Sequence, residues 1–308
     1  MKNKIILVIL IIIVVLIALS VLVFANVNTN TDENIMNRVF NEENMVKIDE
    51  AYIEKDVNMI KGMLINNKEE ALIVANDYLT KLNLSGSIKN IYVKYFDNII
   101  DSKKEVVITN NESIITLNAE TKELISYINQ KTSFPKNQLS KEQIRDRAIK
   151  LFDNLGTYNI NDYKLIYLEQ FDDEIWRVGF AKKYDDLINI GEQIRFSFAP
   201  QSNEILTLGI SNIKYDNNEI KISEKEAIGI AKSYLAKSVA TDMKVYVDIV
   251  RPNGFLINNF RENEIYVELQ QMRKVYVCEF NNEDKTKIYI DCTTGTVLGG
   301  DKILGGEF

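Results

Sequence analysis

The sequence predicts an α+β protein in which one module, a helix packed on a small antiparallel sheet, occurs as three tandem repeats preceded by one transmembrane helix. Three observations support this fold class: an apolar run near the N-terminus, three segments that align without gaps and begin like helices, and alternating apolar and polar residues after each of them. The expected divisions are an anchor or signal segment at 1–25, a tether with a short helix at 26–66, and repeats at 67–131, 132–213 and 214–308.

The first predicted element is the apolar run at residues 5–25, which contains a single polar residue. As a helix it would extend roughly 30 Å, about the thickness of the hydrocarbon core of a bilayer. Because Lys2 and Lys4 precede the run and acidic residues follow it, we expect a single-pass protein of the cell membrane with an extracytoplasmic body. A cleavable signal peptide is the alternative. Beyond a polar tether, apolar residues between Ile35 and Phe40 recur at helical spacing and predict a short helix.

Internal repetition is the feature that decides the predicted architecture. Each of the segments 67–79, 140–152 and 223–235 opens with a residue suited to cap a helix and has Glu or Gln three positions later, the capping-box pattern. These pairs are Asn67 and Glu70, Ser140 and Gln143, and Ser223 and Glu226. Apolar residues follow at i, i+4, i+7 and i+8, as on the buried face of a helix, namely Ala71, Ala75, Tyr78 and Leu79, then Ile144, Ala148, Leu151 and Phe152, then Ala227, Ala231, Tyr234 and Leu235.

After each helix the apolar period changes from about four residues to two, which is typical of half-buried antiparallel strands. In one such run Trp176, the only tryptophan, alternates in phase with Val178 and Phe180, so we expect it to pack in the core. Each repeat finishes on a turn and a short apolar strand, and turn-forming residues occupy the corner each time. These closing turns begin at Asn118, Ala199 and Asp291.

The last closing turn carries a recognisable motif. Asp291, Thr294, Gly295 and Val297 match an Asp-x-x-Thr-Gly-x-Val ending. A capped helix, a meandering sheet and this ending resemble the PepSY-type module. Tandem copies behind one transmembrane helix resemble the YcdB/YcdC-type repeat proteins and the YpeB-type spore-germination proteins of Gram-positive bacteria. The resemblance implies a non-catalytic role, in which the protein binds, restrains or stabilises peptidases or cell-wall hydrolases, and it transfers no catalytic residues.

Composition excludes several classes of site. The chain has no histidine, which removes Ser-His-Asp and Cys-His catalysis and imidazole metal sites. Two cysteines are too few for a structural zinc site within one chain. The net charge is −7 and basic residues alternate with acidic ones, which disfavours nucleic-acid binding. We therefore expect no enzyme activity, no cofactor and no metal.

One loop is a candidate for contact with a partner. Pro252 and Gly254 mark a loop that also holds three consecutive apolar residues, Phe255, Leu256 and Ile257. An exposed apolar loop of this kind is a candidate partner contact. The alternative is a loop folded over its own sheet.

Cys278 and Cys292 fall on two strands that we expect to form a hairpin. If their side chains lie on the same face, a disulfide is one outcome in an oxidising compartment. The other is two small core residues, since diagonal neighbours on a hairpin are often too far apart for disulfide geometry.

Acidic residues provide weaker candidates. Adjacent carboxylates such as Asp172-Asp173, Asp185-Asp186 and Glu283-Asp284 lie in strand connections and are expected to be solvated. The segment 216–219 has oxygen ligands but lacks the spacing and glycine of an EF-hand loop.

The leading functional hypothesis is a binding or regulatory protein whose partner is another envelope protein: a hydrolase, a peptidase or a kinase ectodomain. The alternatives are a sensory ectodomain that modulates a membrane histidine kinase, and an exported hydrolase that uses only carboxylates. The last would need two acids converging in a cleft.

Overall fold

Antiparallel β-sheet dominates the structure, a computed structural model that describes residues 45–47, 52–55, 62–84, 92–98, 103–131, 139–171, 175–199, 204–234, 242–252, 266–268, 271–281 and 285–301. Its helices are α1 (Lys68–Lys81), α2 (Lys141–Leu155), α3 (Glu224–Tyr234) and a short 3-10 helix (Ile160–Asp162). Its strands are β1 (Met45–Lys47), β2 (Tyr52–Lys55), β3 (Tyr92–Asn98), β4 (Lys103–Thr109), β5 (Ser113–Asn118), β6 (Leu124–Asn129), β7 (Tyr163–Phe171), β8 (Ile175–Tyr184), β9 (Leu187–Phe198), β10 (Ile205–Asn212), β11 (Met243–Val250), β12 (Tyr266–Glu268), β13 (Arg273–Phe280), β14 (Lys287–Asp291) and β15 (Val297–Asp301).

Strands of the first two predicted repeats belong to one sheet. This nine-stranded sheet has the order β2-β3-β4-β5-β6-β10-β9-β8-β7, and β6 joins β10 through pairs such as Leu208 with Tyr127. Separately, β11-β13-β14-β15 form a four-stranded sheet and β1 pairs with β12. The predicted α+β class of tandem modules on small separate sheets is therefore wrong, because large antiparallel sheets make up most of the described structure. The repeat boundaries themselves stay predictions.

The three predicted helix starts are confirmed. In each case the side chain of the capping residue accepts a hydrogen bond from the backbone N–H three residues later, at Asn67, Ser140 and Ser223. In α2 and α3 the Gln or Glu side chain also accepts from the backbone N–H of the capping residue, which completes the capping box. The apolar stripes of α1 and α2 are buried, and so are Ala227 and Ala231 of α3.

A shared hydrophobic core lies between the nine-stranded sheet and the two helices on one of its faces, α1 against β4 and β5, and α2 against β8 and β9. Phe152 of α2 is fully buried there, and its ring meets those of Tyr163 and Phe180 edge to face at centroid distances of 5.1 and 5.3 Å. Trp176 packs against the border of this core, as its alternation predicts. A smaller hydrophobic core lies between α3 and the four-stranded sheet.

The three predicted closing turns share one backbone hydrogen bond. It is 2.8 Å long in each case, and the N–H of Asn118, Ala199 or Asp291 donates to the carbonyl of Glu123, Glu204 or Thr296. In the first and third copies, the side chain of Asn118 or Asp291 also accepts two backbone N–H groups of the turn. Lys122 and Gly295 occupy the same position at positive φ, 63° and 74°. Lysine there adopts a conformation that favours glycine.

The predicted localisation needs a correction. No helix in the described parts of the chain is long and apolar enough to cross a bilayer, so the single-pass anchor is not supported. The longest of them, α2, has 15 residues and extends only about 22 Å, short of the roughly 30 Å hydrocarbon core. The apolar run at 5–25 lies outside the described residues, as do Ile35 to Phe40, whereas β1 and β2 lie within the predicted tether.

Candidate functional site

The face of the nine-stranded sheet opposite the helices carries an unusual set of side chains at its β7 end. Side chains alternate between faces along a strand. Val178 and Phe196 point into the core, so their neighbours Arg177 and Arg195 point to the opposite face. Arg195 pairs in register with Gly179, and Gly179 pairs with Tyr167 on the edge strand β7. We call Tyr167, Phe171, Arg177 and Arg195, with Gly179 and Gly209 beneath them, the arginine surface.

Arg177 organises the outer part of the arginine surface. Its guanidinium carbon lies 5.9 Å from the ring centroid of Tyr167 and 5.5 Å from that of Phe171. Contacts of this kind are cation–π interactions. The Arg177 guanidinium is also 3.8 Å from the Glu169 carboxylate, at the long end of an ion pair. Phe171 is nevertheless 51% exposed, so it presents a large apolar area to solvent.

Two glycines let the larger groups lie close to the sheet. The Tyr167 ring covers Gly179, where a Cβ atom would approach ring carbon Cζ to 2.3 Å. No side chain fits there without displacing the ring. The Arg195 guanidinium lies over Gly209, and a Cβ atom at Gly209 would be 3.8 Å from Nη2. Gly179 therefore fixes the place of the tyrosine, and Gly209 lets the guanidinium lie close to the sheet.

Arg195 is the least compensated charge of the arginine surface. It is half-buried, and among the described residues it forms no ion pair. Burial lowers the pKa of its guanidinium, and the neighbouring charge of Arg177 acts in the same direction. An arginine nonetheless stays protonated in proteins. The surface thus holds a partly desolvated cation that has no anionic partner in the described part of the chain.

A second polar cluster surrounds Glu192 of β9, which is only 2% exposed. Oε2 accepts hydrogen bonds from the Tyr184 hydroxyl and from Asn189 Nδ2 at 2.9 Å. Oε1 accepts from Lys182 Nζ at 3.3 Å and Lys214 Nζ at 3.2 Å. Burial opposes ionisation, yet the hydrogen bonds from Tyr184, Asn189 and Lys214 outweigh it and hold the pKa of Glu192 below its ordinary value. The cluster is built to keep a buried carboxylate charged.

The Glu192 cluster stands at the junction with the four-stranded sheet. Asn189 donates a second hydrogen bond to the Ile213 carbonyl at 3.1 Å, which ties β9 to the connecting segment. Beside it, Tyr215 and Met272 are buried with Ile249 of β11. The rings of Tyr184 and Tyr215 meet edge to face at 5.0 Å. Polar and apolar contacts therefore join the two sheets at this point.

The segment 216–219, weighed above for calcium, has structural partners. Asp216 forms an ion pair with Arg273, which also pairs with Asp291 at the closing turn. The Asn218 side chain accepts from the Lys274 backbone N–H at 2.6 Å and donates to its carbonyl at 3.0 Å. Within the described ranges no group of three or more metal-ligating side chains occurs.

The structure does not bring the two cysteines together. Cys278 of β13 pairs with Ile288, whereas Cys292 hydrogen bonds to Lys274, four residues away along β13. At about 3.3 Å per residue that offset is about 13 Å, compared with a Cα separation below about 7 Å in disulfides. Both thiols are free and buried, and burial raises their pKa values to about 11 and about 12. The arrangement matches the interpretation as small core residues, and the disulfide stays a prediction.

We expect two reactive thiols after unfolding and slow reaction before it, because the thiolate is the nucleophile and both groups are buried with raised pKa values. The measurement is thiol titration with an aromatic disulfide reagent at pH 8, in buffer and in denaturant without reductant. Absence of titratable thiol in denaturant would establish a bridge and a register different from that described.

The other sequence candidates give a mixed outcome. Phe255, Leu256 and Ile257 lie outside the described residues, so their role as a partner contact stays a prediction. Asp172-Asp173 and Glu283-Asp284 also lie outside them, while Asp185 forms the β8–β9 turn at φ 53°. Arg195 and Glu192 were not among the candidates predicted from the sequence. The available signal was a pair of arginines at polar positions of two alternating runs, Trp176–Phe180 and Ile194–Phe198.

Comparison with known proteins adds little. No protein-family model matches the chain, and no curated protein matches it. Among solved structures the chain is similar to the C-terminal domain of Bacillus megaterium YpeB, with 13% identity and a TM-score of 0.39 over 75% of this chain and 96% of that domain. A similarity this low carries no argument about function.

Proposed function

We propose that this chain is a non-catalytic binding protein that restrains or stabilises a peptidase or a cell-wall hydrolase, and that its repeats are PepSY-type modules. The observation that carries the proposal is the arginine surface. Tyrosine and arginine are the residues that most often dominate the free energy of protein–protein association. Here both lie on one face of the sheet beside the exposed Phe171.

The position of the arginine surface supports a protein partner. It lies against β7, the edge strand of the nine-stranded sheet, in which five of nine residues are exposed. A sheet face of this kind offers an extended, rigid area rather than an enclosed cavity for a small molecule. Supporting evidence for the repeat type comes from the closing turns, which share one backbone hydrogen bond in all three predicted repeats.

Two carboxylates, Glu192 and Asp291, are held in the charged form by their partners. Glu192 and Asp291 have pKa values held low by partners, Glu192 by tyrosine, asparagine and lysine, and Asp291 by Arg273 and turn N–H groups. A catalytic acid near neutral pH needs a raised pKa instead. These two carboxylates are therefore suited to holding the structure together.

The test is retention of purified peptidases and cell-wall hydrolases on the immobilised full chain, with the catalytic rate of each measured in its presence and absence. We expect one enzyme to be retained and its rate or its thermal half-life to change. Phe171→Ala should weaken that retention about tenfold or more, as loss of a central aromatic contact does. Ile73→Ala is the matched control, since Ile73 is 58% exposed on α1, across the sheet.

Failure of the wild-type chain to retain any such enzyme would contradict the proposal. Equal weakening by Phe171→Ala and Ile73→Ala would place the contact elsewhere on the molecule.

A further inference from the structure

Arg195 combines partial burial with the lack of a carboxylate partner among the described residues. Other cations of the nine-stranded sheet are paired: Lys94, Lys104 and Lys182 each lie within 3.3 Å of a carboxylate, and Arg177 has Glu169 at 3.8 Å. Lys164 and Lys183 form no ion pair within the described ranges either, but both are exposed. The charged neighbour of Arg195 is the like charge of Arg177. Within the described part of the chain, Arg195 is therefore a partly desolvated guanidinium without a compensating carboxylate.

On its face of the sheet, Arg195 has small neighbours on one side and an aromatic ring on the other. Gly209 lies in register with Arg195, and the guanidinium covers it, with Nη2 3.8 Å from the place of a Cβ atom. Ser197 is the next residue of β9 on this face, and Ser126 lies opposite Gly209 on β6. The Thr207 hydroxyl donates to the Ser197 hydroxyl at 3.0 Å. On the other side the Tyr167 ring covers Gly179, so the guanidinium lies between small side chains and this ring.

We infer that the arginine surface receives an acidic side chain of the protein partner, which pairs with the Arg195 guanidinium while Tyr167 and Phe171 contact the apolar residues that flank it. The inference rests on the proposed function and names the chemistry of the partner. A guanidinium presents a planar fork that binds a carboxylate through two parallel hydrogen bonds. Half-burial strengthens such a pair relative to one in bulk water.

The charge of the whole chain favours a carboxylate over a polyanion. The net charge is −7, so a nucleic acid or an anionic membrane meets overall repulsion. The two arginines of the arginine surface are too few for the multiple phosphate contacts of nucleic-acid binding. A single acid in an otherwise apolar segment needs only one compensating cation.

The experiment uses the full chain and two pools of end-capped, fluorescently labelled nonapeptides. Both pools vary apolar residues at every position except the centre, which is glutamate in one pool and glutamine in the other. We expect the glutamate pool to bind at least tenfold more tightly by fluorescence anisotropy. Arg195→Gln should abolish that preference, and Arg195→Lys should retain only part of it, because lysine keeps the charge and loses the fork.

Two controls separate the role of Arg195 from general charge and from misfolding. Lys150→Gln removes one exposed charge from α2, on the opposite face of the sheet, and should leave the preference for glutamate over glutamine unchanged. Tyr167→Phe keeps the ring over Gly179 and tests the same surface if an Arg195 variant does not fold. Circular dichroism verifies that each variant is folded.

Equal binding of the two pools, or a preference that survives Arg195→Gln, would overturn the inference. So would displacement of the glutamate pool by inorganic phosphate at a concentration where acetate has no effect, since the site would then select phosphate. If an enzyme is retained by wild type and Arg195→Gln alike, the inference fails and the proposed function stands. If the pools behave as expected and no enzyme is retained, the proposed function fails alone.

Discussion

Replacing Phe152 by alanine is expected to lower the free energy of unfolding by about 3–5 kcal/mol. The side chain is fully buried, and its ring contacts those of Tyr163 and Phe180. Truncation removes apolar burial and leaves a cavity that surrounding rings cannot fill completely. The measurement is urea unfolding followed by the fluorescence of Trp176, which packs against the same core.

The matched control is Ile73→Ala, in which the replaced side chain is exposed on α1. Its effect should stay within about 0.5 kcal/mol. The core beneath α1 and α2 is continuous. Phe152→Ala should therefore also destabilise the part of the sheet beneath α1, and both parts should unfold together in a single transition. Two separated transitions, or a loss below about 1 kcal/mol, would contradict the shared core.

Glu192→Ala is expected to cost about 2–3 kcal/mol. The change leaves the buried Asn189 amide without one acceptor and the Tyr184 hydroxyl without its partner. A buried group that loses its hydrogen-bond partner costs about 1–3 kcal/mol, and bonds to a charged group are the stronger ones. Glu219→Ala is the control, since Glu219 is highly exposed beside the same junction. Equal effects of the two changes would show that the Glu192 cluster does not stabilise the junction.

The contribution of Glu192 should also depend on pH. Its folded-state pKa lies below the ordinary value of 4.5, so the folded form binds the proton less readily than the unfolded form. The stability it provides is complete above about pH 5 and decreases as the pH falls from about 4.5 through the folded-state pKa. The difference between wild type and Glu192→Ala should therefore shrink in acid, as urea unfolding between pH 7 and pH 3 measures. A difference that grows in acid would reverse the assigned sign.

Local features of the fold could be predicted from the sequence. A helix start needs only a capping side chain and a partner three residues later, so Ser140 and Gln143 are sufficient to identify one. Strand alternation likewise identifies the buried face of Trp176. Both signals are confined to a few consecutive residues.

Long-range pairing could not be predicted in this way. The β6–β10 contact joins Tyr127 to Leu208, and nothing in either strand specifies the other as its neighbour. The same limit applies to the arginine surface, because alternation shows that Arg195 faces away from the core but not that Gly179 and Gly209 flank it. From the sequence alone, the buried Glu192 cannot be distinguished from acidic residues on the surface. It is surrounded by hydrogen-bond donors only because of the register of β8, β9 and the connecting segment.

The β6–β10 pairing determines which parts of the chain can be removed without exposing a strand edge. Removing either of the first two predicted repeats would turn a central strand into an edge strand with unpaired backbone groups, and such an edge promotes self-association. The four-stranded sheet of the third predicted repeat has a core of its own and contacts the nine-stranded sheet in the Tyr215 region. Its removal would therefore leave the strand pairing of the nine-stranded sheet intact.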